Sequence, residues 1–197
     1  RPKDMSTEDA ITEHVQSMHA GIERMDQMLS DLREAAQVQE GRVEVAPKLI
    51  RVDEVLRHTM EEVQDRAKIK GISLDADLEQ HMHFMIDRPI LSSVTRQLLL
   101  NSLAFTPRNG HVQLNAHKAG KNIYVEIRDN GSGIAKSDMP RLFQKFTRGE
   151  NAPRYQPDGN GLGLFIARGL VEAAGGDLHL TSTEGKGTTV YFTLPIE

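Results

Sequence analysis

Two glycine clusters constrain this chain more than any other feature. The first, Asp129-Asn130-Gly131-Ser132-Gly133, follows a run in which Ile123, Val125 and Ile127 alternate with polar neighbours. Such alternation marks a half-buried strand, so an acid and two glycines stand where a sheet strand runs out into a loop. A carboxylate there can accept from an exocyclic amine, and glycines let backbone come close to a flat ring or a phosphate. The same residues also spell an ordinary turn. The second cluster, Asp158-Gly159-Asn160-Gly161-Leu162-Gly163-Leu164, runs into Leu164, Ile166, Ala167, Leu170, Val171 and Ala174, an apolar pattern at helical spacing. A helix N-terminus leaves backbone N–H groups free and carries a positive dipole end, which suits a phosphate. One cluster to hold a base and one to hold phosphates is a nucleotide-site hypothesis. It is neither a Walker loop nor a Rossmann fingerprint: no Gly-Lys-Ser/Thr follows the second cluster, and the first does not open a helix.

The rest of the chain bounds the setting. Its 197 residues suffice for one domain of ordinary size plus an extra element. A net charge of −4 gives no general reason to expect nucleic acid as a partner. There is no Cys, which excludes disulfides and thiolate metal sites. No apolar run is long enough to span a membrane and no signal peptide is visible. The chain begins with Arg rather than Met, so a fragment of a longer protein is expected.

From Thr7 to Glu40 the apolar positions Ile11, Val15, Met18, Ile22, Met25, Leu29, Leu32 and Ala36 step by four and three, a heptad seam. This predicts one long helix, with Ser6 able to cap it and Gly41 closing it. Its seam can pack on its own domain, or in a coiled coil or four-helix bundle between chains; its length and narrowness favour the bundle. Arg42 to Arg51 reads as an extended link. Asp53 can cap a second helix, Val55 to Lys70, ended by Gly71. Strands are expected at Ile72 to Leu78 and His81 to Ile86. A third helix starts at Asp87, with Pro89 in its first turn, and stops before Pro107. Strands His111 to His117 and Asn122 to Arg128 follow. Ile134 to Gly159 holds Pro140, Pro153 and Pro157, a short helical piece at Leu142 to Phe146, and basic Lys136, Arg141, Lys145, Arg148 and Arg154. Long irregular segments of this kind are lids, binding loops or solvated inserts. A helix from Leu162 to Ala174 and strands Leu178 to Thr183 and Thr188 to Leu194 complete the chain.

Read together, these segments resemble the ATP-binding half of a sensor histidine kinase, in the superfamily that includes the DNA gyrase B subunit, the MutL repair proteins and the large heat-shock chaperones. Gln97 to Pro107 is similar to the asparagine box. Asp129-x-Gly131-x-Gly133 is similar to the first glycine box, and Leu142 to Arg148 to the phenylalanine box. Gly159-x-Gly161-Leu162-Gly163-Leu164 resembles the second glycine box, and Gly185-x-Gly187-Thr188 a third. Five boxes in order make the resemblance specific, and it covers about Arg24 to the C-terminus. It implies an α+β fold: a two-layer α/β sandwich of the Bergerat type preceded by a long bundle-forming helix. Residues 1–41 would be the second helix of a dimerisation and histidine-phosphotransfer hairpin, and residues 42–197 the catalytic domain.

The resemblance also implies roles. ATP and Mg²⁺ would be the ligands. Asp129 would accept from the adenine amine, and Asn101 would hold Mg²⁺ through its side-chain oxygen. Gly131, Gly133, Phe146, Gly159, Gly161, Leu162, Gly163, Leu164 and Thr188 would line the nucleotide. Gln97 would stand with Asn101 at the reacting end. Arg148 could neutralise phosphate charge, and Phe143 and Phe146 would anchor the lid on the core. The implied partners are a second copy, through the N-terminal helix, and the receiver domain of a response regulator, in the cytoplasm. No nucleic acid and no membrane contact within this stretch are expected.

The chain departs from the pattern at three points. No phosphoacceptor box is present: His14 precedes Val15 and His19 precedes Ala20, with no acid beside either. The expectation is that the first hairpin helix lies upstream of Arg1. Gln97 stands where the family usually has a second asparagine, on the same helix face as Asn101. Gln97 cannot act as the general base that related ATPases use there. Ala104 stands where many members carry a basic residue; doing without that charge-assisted hydrogen bond costs roughly 1.5–3 kcal/mol. Three functions stay open: a protein-histidine kinase, a non-catalytic ATP-binding and dimerisation module, and an ATP-hydrolysing clamp. The remaining histidines, His58, His81, His83, His111, His117 and His179, form no pattern of metal ligands.

Overall fold

The computed structural model describes residues 7–149 and 159–196. The possible cap Ser6, together with Pro153, Arg154, Pro157 and Asp158, lies outside them. The heptad pattern forms helix α1, Thr7–Gln39. Gly41 follows at φ +62, the left-handed conformation that suits a residue without Cβ. The seam residues Val15, Met18, Ile22, Met25, Leu29 and Leu32 are all exposed. A different stripe of the same helix faces the rest of the molecule. Asp31 and Ala35 are buried, and Val38 packs against the core.

The link after α1 ends in a strand rather than in coil. β1, Lys48–Arg51, pairs antiparallel with β3, His83–Ile86, from Lys48↔Ile86 to Arg51↔His83. This pairing corrects the expected start of the second helix. α2 runs Val52–Lys70, with Arg51 in the N-cap position and no side-chain cap. The strand passes straight into the helix because Val52 N–H still bonds Met82 O (2.9 Å). Asp53 therefore lies buried in the first turn, 3.3 Å from the Arg51 guanidinium. At the far end Gly71 N–H bonds Lys68 O and Ile72 N–H bonds Ala67 O, closing the helix as expected. Helix α3, Arg88–Phe105, starts where Asp87 accepts from Ile90 N–H (2.8 Å).

Five strands make the main sheet: β2 Ser73–Leu78, β4 His111–Ala119, β5 Asn122–Asp129, β6 Asp177–Thr183 and β7 Gly187–Pro195. Their order is β2-β4-β5-β7-β6, and only β2 and β4 run parallel. One face supplies Val112, Leu114 and Ala116, Ile123, Val125 and Ile127, and Val190, Phe192 and Leu194, all buried. α2, α3 and helix α4, Gly163–Ala173, cover that face with Leu56, Val63, Leu91, Leu98, Ile166 and Val171. The result is the two-layer α/β sandwich expected from the sequence.

Candidate functional site

Strand parity places the central acid. In β5 Ile123, Val125 and Ile127 face the helices, so Asp129, two residues on, faces them as well. Its carboxyl is buried at the strand's end, beneath the helical layer. Oδ1 accepts from Gly131 N–H (2.9 Å) and from Thr188 N–H (3.1 Å), and Ser102 on α3 hydrogen-bonds the same carboxyl. Burial pushes the group above its ordinary value of 3.8, against the opposing pull of these three bonds. Asp129, Gly131, Thr188 and Ser102 thus form one cluster at the junction of sheet and helices. Ser102 lies inside the asparagine-box stretch, but nothing in its sequence neighbourhood marks it as a partner of Asp129.

The loop after Asp129 is held by backbone. Ser132 N–H bonds Phe105 O and Gly185 N–H bonds Ser132 O. A Cβ on Gly133 would stand 2.1 Å from Thr183 O. That glycine is required by close packing against the β6–β7 turn, so the third glycine box supports the first.

The second glycine cluster lies where two helices meet. Gln97, buried, and Asn101, half-buried, lie one turn apart on α3 and face the start of α4. A Cβ on Gly163 would lie 3.0 Å from Gln97 Oε1 and 3.4 Å from Asn101 Nδ2. The missing side chain at Gly163 lets the start of α4 come close to these two amide groups. The first intrahelical bond of α4 is Ile166 N–H to Leu162 O, so the N–H groups of Gly163, Leu164 and Phe165 have no carbonyl within the helix. N–H groups without an intrahelical partner at a helix N-terminus suit a phosphate chain. Two amide oxygens also suit a hard cation held jointly with phosphate oxygens. Among the described residues no group of three acidic or histidine side chains could cage a metal alone.

Leu162 is buried and its N–H bonds Asn160 Oδ1 (3.0 Å), which braces the loop. One role expected from the sequence needs correction. Phe146 is 66% exposed at φ +58. It does not anchor the lid on the core, because the backbone turn there directs it outward. Phe143 is half-buried, with the Arg168 guanidinium of α4 5.2 Å over its ring. Arg148 is half-buried and already engaged. Gly159 is half-buried ahead of Gly161, and Leu164 packs on the core.

Two further residues belong to the site without a signal in the sequence. Asp31 of α1 is buried and accepts from Gln97 Nε2 (2.9 Å) and Asn160 Nδ2 (2.7 Å). The heptad seam points to a different side of that helix. Lys70, at the end of α2, donates to the carbonyls of Leu103, Ala104 and Thr106 at 2.8, 2.7 and 3.2 Å. It caps the helix that carries Asn101 and Ser102. Burial, with the Arg108 charge nearby, draws its ammonium below the usual lysine value.

The chain is similar to known proteins in sequence and in fold. Residues 86–197 match the family described as histidine kinase-, DNA gyrase B-, and HSP90-like ATPase. The chain is 31% identical over 185 residues to the non-motile and phage-resistance protein of Caulobacter vibrioides, covering 92% of this chain and 22% of that protein. It is 36% identical over 130 residues to the sensor histidine kinase WalK of Bacillus subtilis, covering 59% of this chain and 21% of WalK. Its fold matches the crystal structure of full-length ShkA in complex with AMPPNP, with a TM-score of 0.78, 23% identity, and coverage of 98% of this chain and 40% of ShkA. The chain thus spans about a fifth of the length of the two curated relatives.

Proposed function

Because the chain belongs to the histidine kinase-, DNA gyrase B-, and HSP90-like ATPase family, we propose that it is the ATP-binding part of a two-component sensor histidine kinase. The observation that carries this reading is that α3 links the buried Asp129 to the uncapped start of α4: Ser102 bonds the carboxyl, and Gln97 and Asn101 lie beside Gly163. Asp129 accepts from the adenine amine, with its second acceptor site oriented by Ser102 and the two backbone donors. The N–H groups of Gly163 and Leu164 receive the phosphates, beside Gln97 and Asn101. Asn101 and Gln97 offer oxygens to Mg²⁺, which when bound would screen the triphosphate charge. Catalysis would be mainly positioning and electrostatics, as for other phosphoryl transfers.

In this reading α1 is the second helix of the phosphotransfer hairpin, and residues 42–197 belong to the catalytic domain. The exposed seam of α1 receives a second copy. The γ-phosphate passes to a histidine outside this chain, and then to an aspartate on a response regulator in the cytoplasm. Among the described residues no helix is long and apolar enough to cross a membrane.

The test is incubation with labelled Mg-ATP and a separately supplied hairpin carrying an acceptor histidine. Acid-labile phosphate on the hairpin, and none on this chain, is the expected result. Nucleotide binding without transfer would favour the non-catalytic module. Free phosphate released without acceptor would favour the hydrolysing clamp.

A further inference from the structure

Helix α1 reaches into the nucleotide site through one side chain. Asp31 is 6% exposed and accepts three amide N–H groups: Gln27 Nε2 (2.7 Å) and Gln97 Nε2 (2.9 Å) on Oδ1, and Asn160 Nδ2 (2.7 Å) on Oδ2. A carboxylate only accepts, so each amide must turn its NH₂ toward α1 and its carbonyl away. The Gln97 carbonyl then stands over Gly163 beside Asn101. The Asn160 carbonyl takes Leu162 N–H at the entry to α4. One carboxylate therefore fixes the orientation of two amides, one on each wall of the triphosphate side.

Further bonds hold α1 in this position. Ser93 on α3 donates to Glu34 (2.7 Å), Arg96 donates to Gln27 (2.6 Å), and Lys145 in the lid donates to Gln39. Val38 sits against Gly169 of α4, where an added Cβ would lie 2.1 Å from Val38 Cγ1. That close approach is possible only because residue 169 lacks a side chain.

We propose that Asp31 is a positioning residue of the nucleotide site: the docked α1 sets the triphosphate side through Gln97 and Asn160, and leaves the adenine side to Asp129. This inference rests on the nucleotide reading above. It makes affinity for the triphosphate depend on where the helix lies.

Two independent changes test it. Asp31→Asn keeps the shape but sets an NH₂ against at least one of the three amide donors. That amide must reverse or give up its bond. Gly169→Ala favours the helix locally but pushes Val38 and α1 away without touching the site. Affinity would be measured for Mg-ATP by calorimetry and for adenosine by ligand-observed NMR, with a thermal melt of each variant. We expect each change to weaken Mg-ATP about tenfold, the scale of one missing bond to a charged group, and to leave adenosine binding unchanged. Adding Val38→Ala to Gly169→Ala should restore Mg-ATP binding. The proposal is overturned if Asp31→Asn binds Mg-ATP as the parent does or more tightly, or if both ligands weaken equally. A parent chain that binds neither ligand would overturn the nucleotide reading as well.

Discussion

The Asp129 carboxyl accepts from two backbone N–H groups and pairs with Ser102, yet burial still raises it above 3.8. A raised carboxyl stabilises the fold fully below its unfolded value, and that contribution is lost as pH rises through the folded value. At neutral pH the protein therefore carries a charge that its own burial opposes. Asp129→Asn removes the charge, and its carbonyl can still accept from Gly131 and Thr188. The variant should melt at or above the parent's temperature at pH 7, with the difference closing as pH falls toward 3.8. A much lower melting temperature at pH 7 would mean that the carboxylate is kept for the fold. The importance of this residue is legible in the sequence because strand alternation and the following glycines fix its place. That of Asp31 is not. Nothing local distinguishes it from other acids on an exposed helix, and its two partners outside α1 lie 66 and 129 positions away in sequence.

Helix α1 uses two sides for two purposes. Asp31, Ala35 and Val38 dock on α3 and α4, while Val15, Met18, Ile22, Met25, Leu29 and Leu32 remain exposed. Contiguous apolar surface of this kind marks an interaction site. Leu29→Lys should convert a dimer into a monomer in light scattering and leave Mg-ATP affinity unchanged, since Leu29 is 63% exposed and away from the docked stripe. A parent chain that is monomeric at high concentration would contradict the bundle reading. The seam is readable because heptad spacing is a local signal. The docked stripe has only two apolar members and relies on hydrogen bonds formed across the fold. The start of α2 differs from its sequence expectation for a related reason: Asp53 has the chemistry of a cap, but pairing of β1 with β3 carries the strand directly to Val52.

At the scale of the whole molecule, the sheet sets one polar end of a buried face against two helix ends. β5 delivers Asp129, the end region of α3 delivers Asn101 and Ser102, and α4 begins beside both. Most of this arrangement follows from period and punctuation: alternation marks the strands, and glycine, proline and Asp87 mark the boundaries. The order of strands in the sheet is not specified by those signals, because pairing β2 with β4 in parallel depends on contacts between distant segments. The same distance hides Lys70 as the support for the end of α3. The claim that unites these elements is that ATP binds beside them with its adenine on Asp129. Calorimetric titration of the parent chain and of Asp129→Asn with Mg-ATP tests it most directly. The account predicts saturable binding to the parent and a loss of at least about tenfold in the folded variant, as for a bond to a charged group. Equal affinity in the two proteins would contradict it.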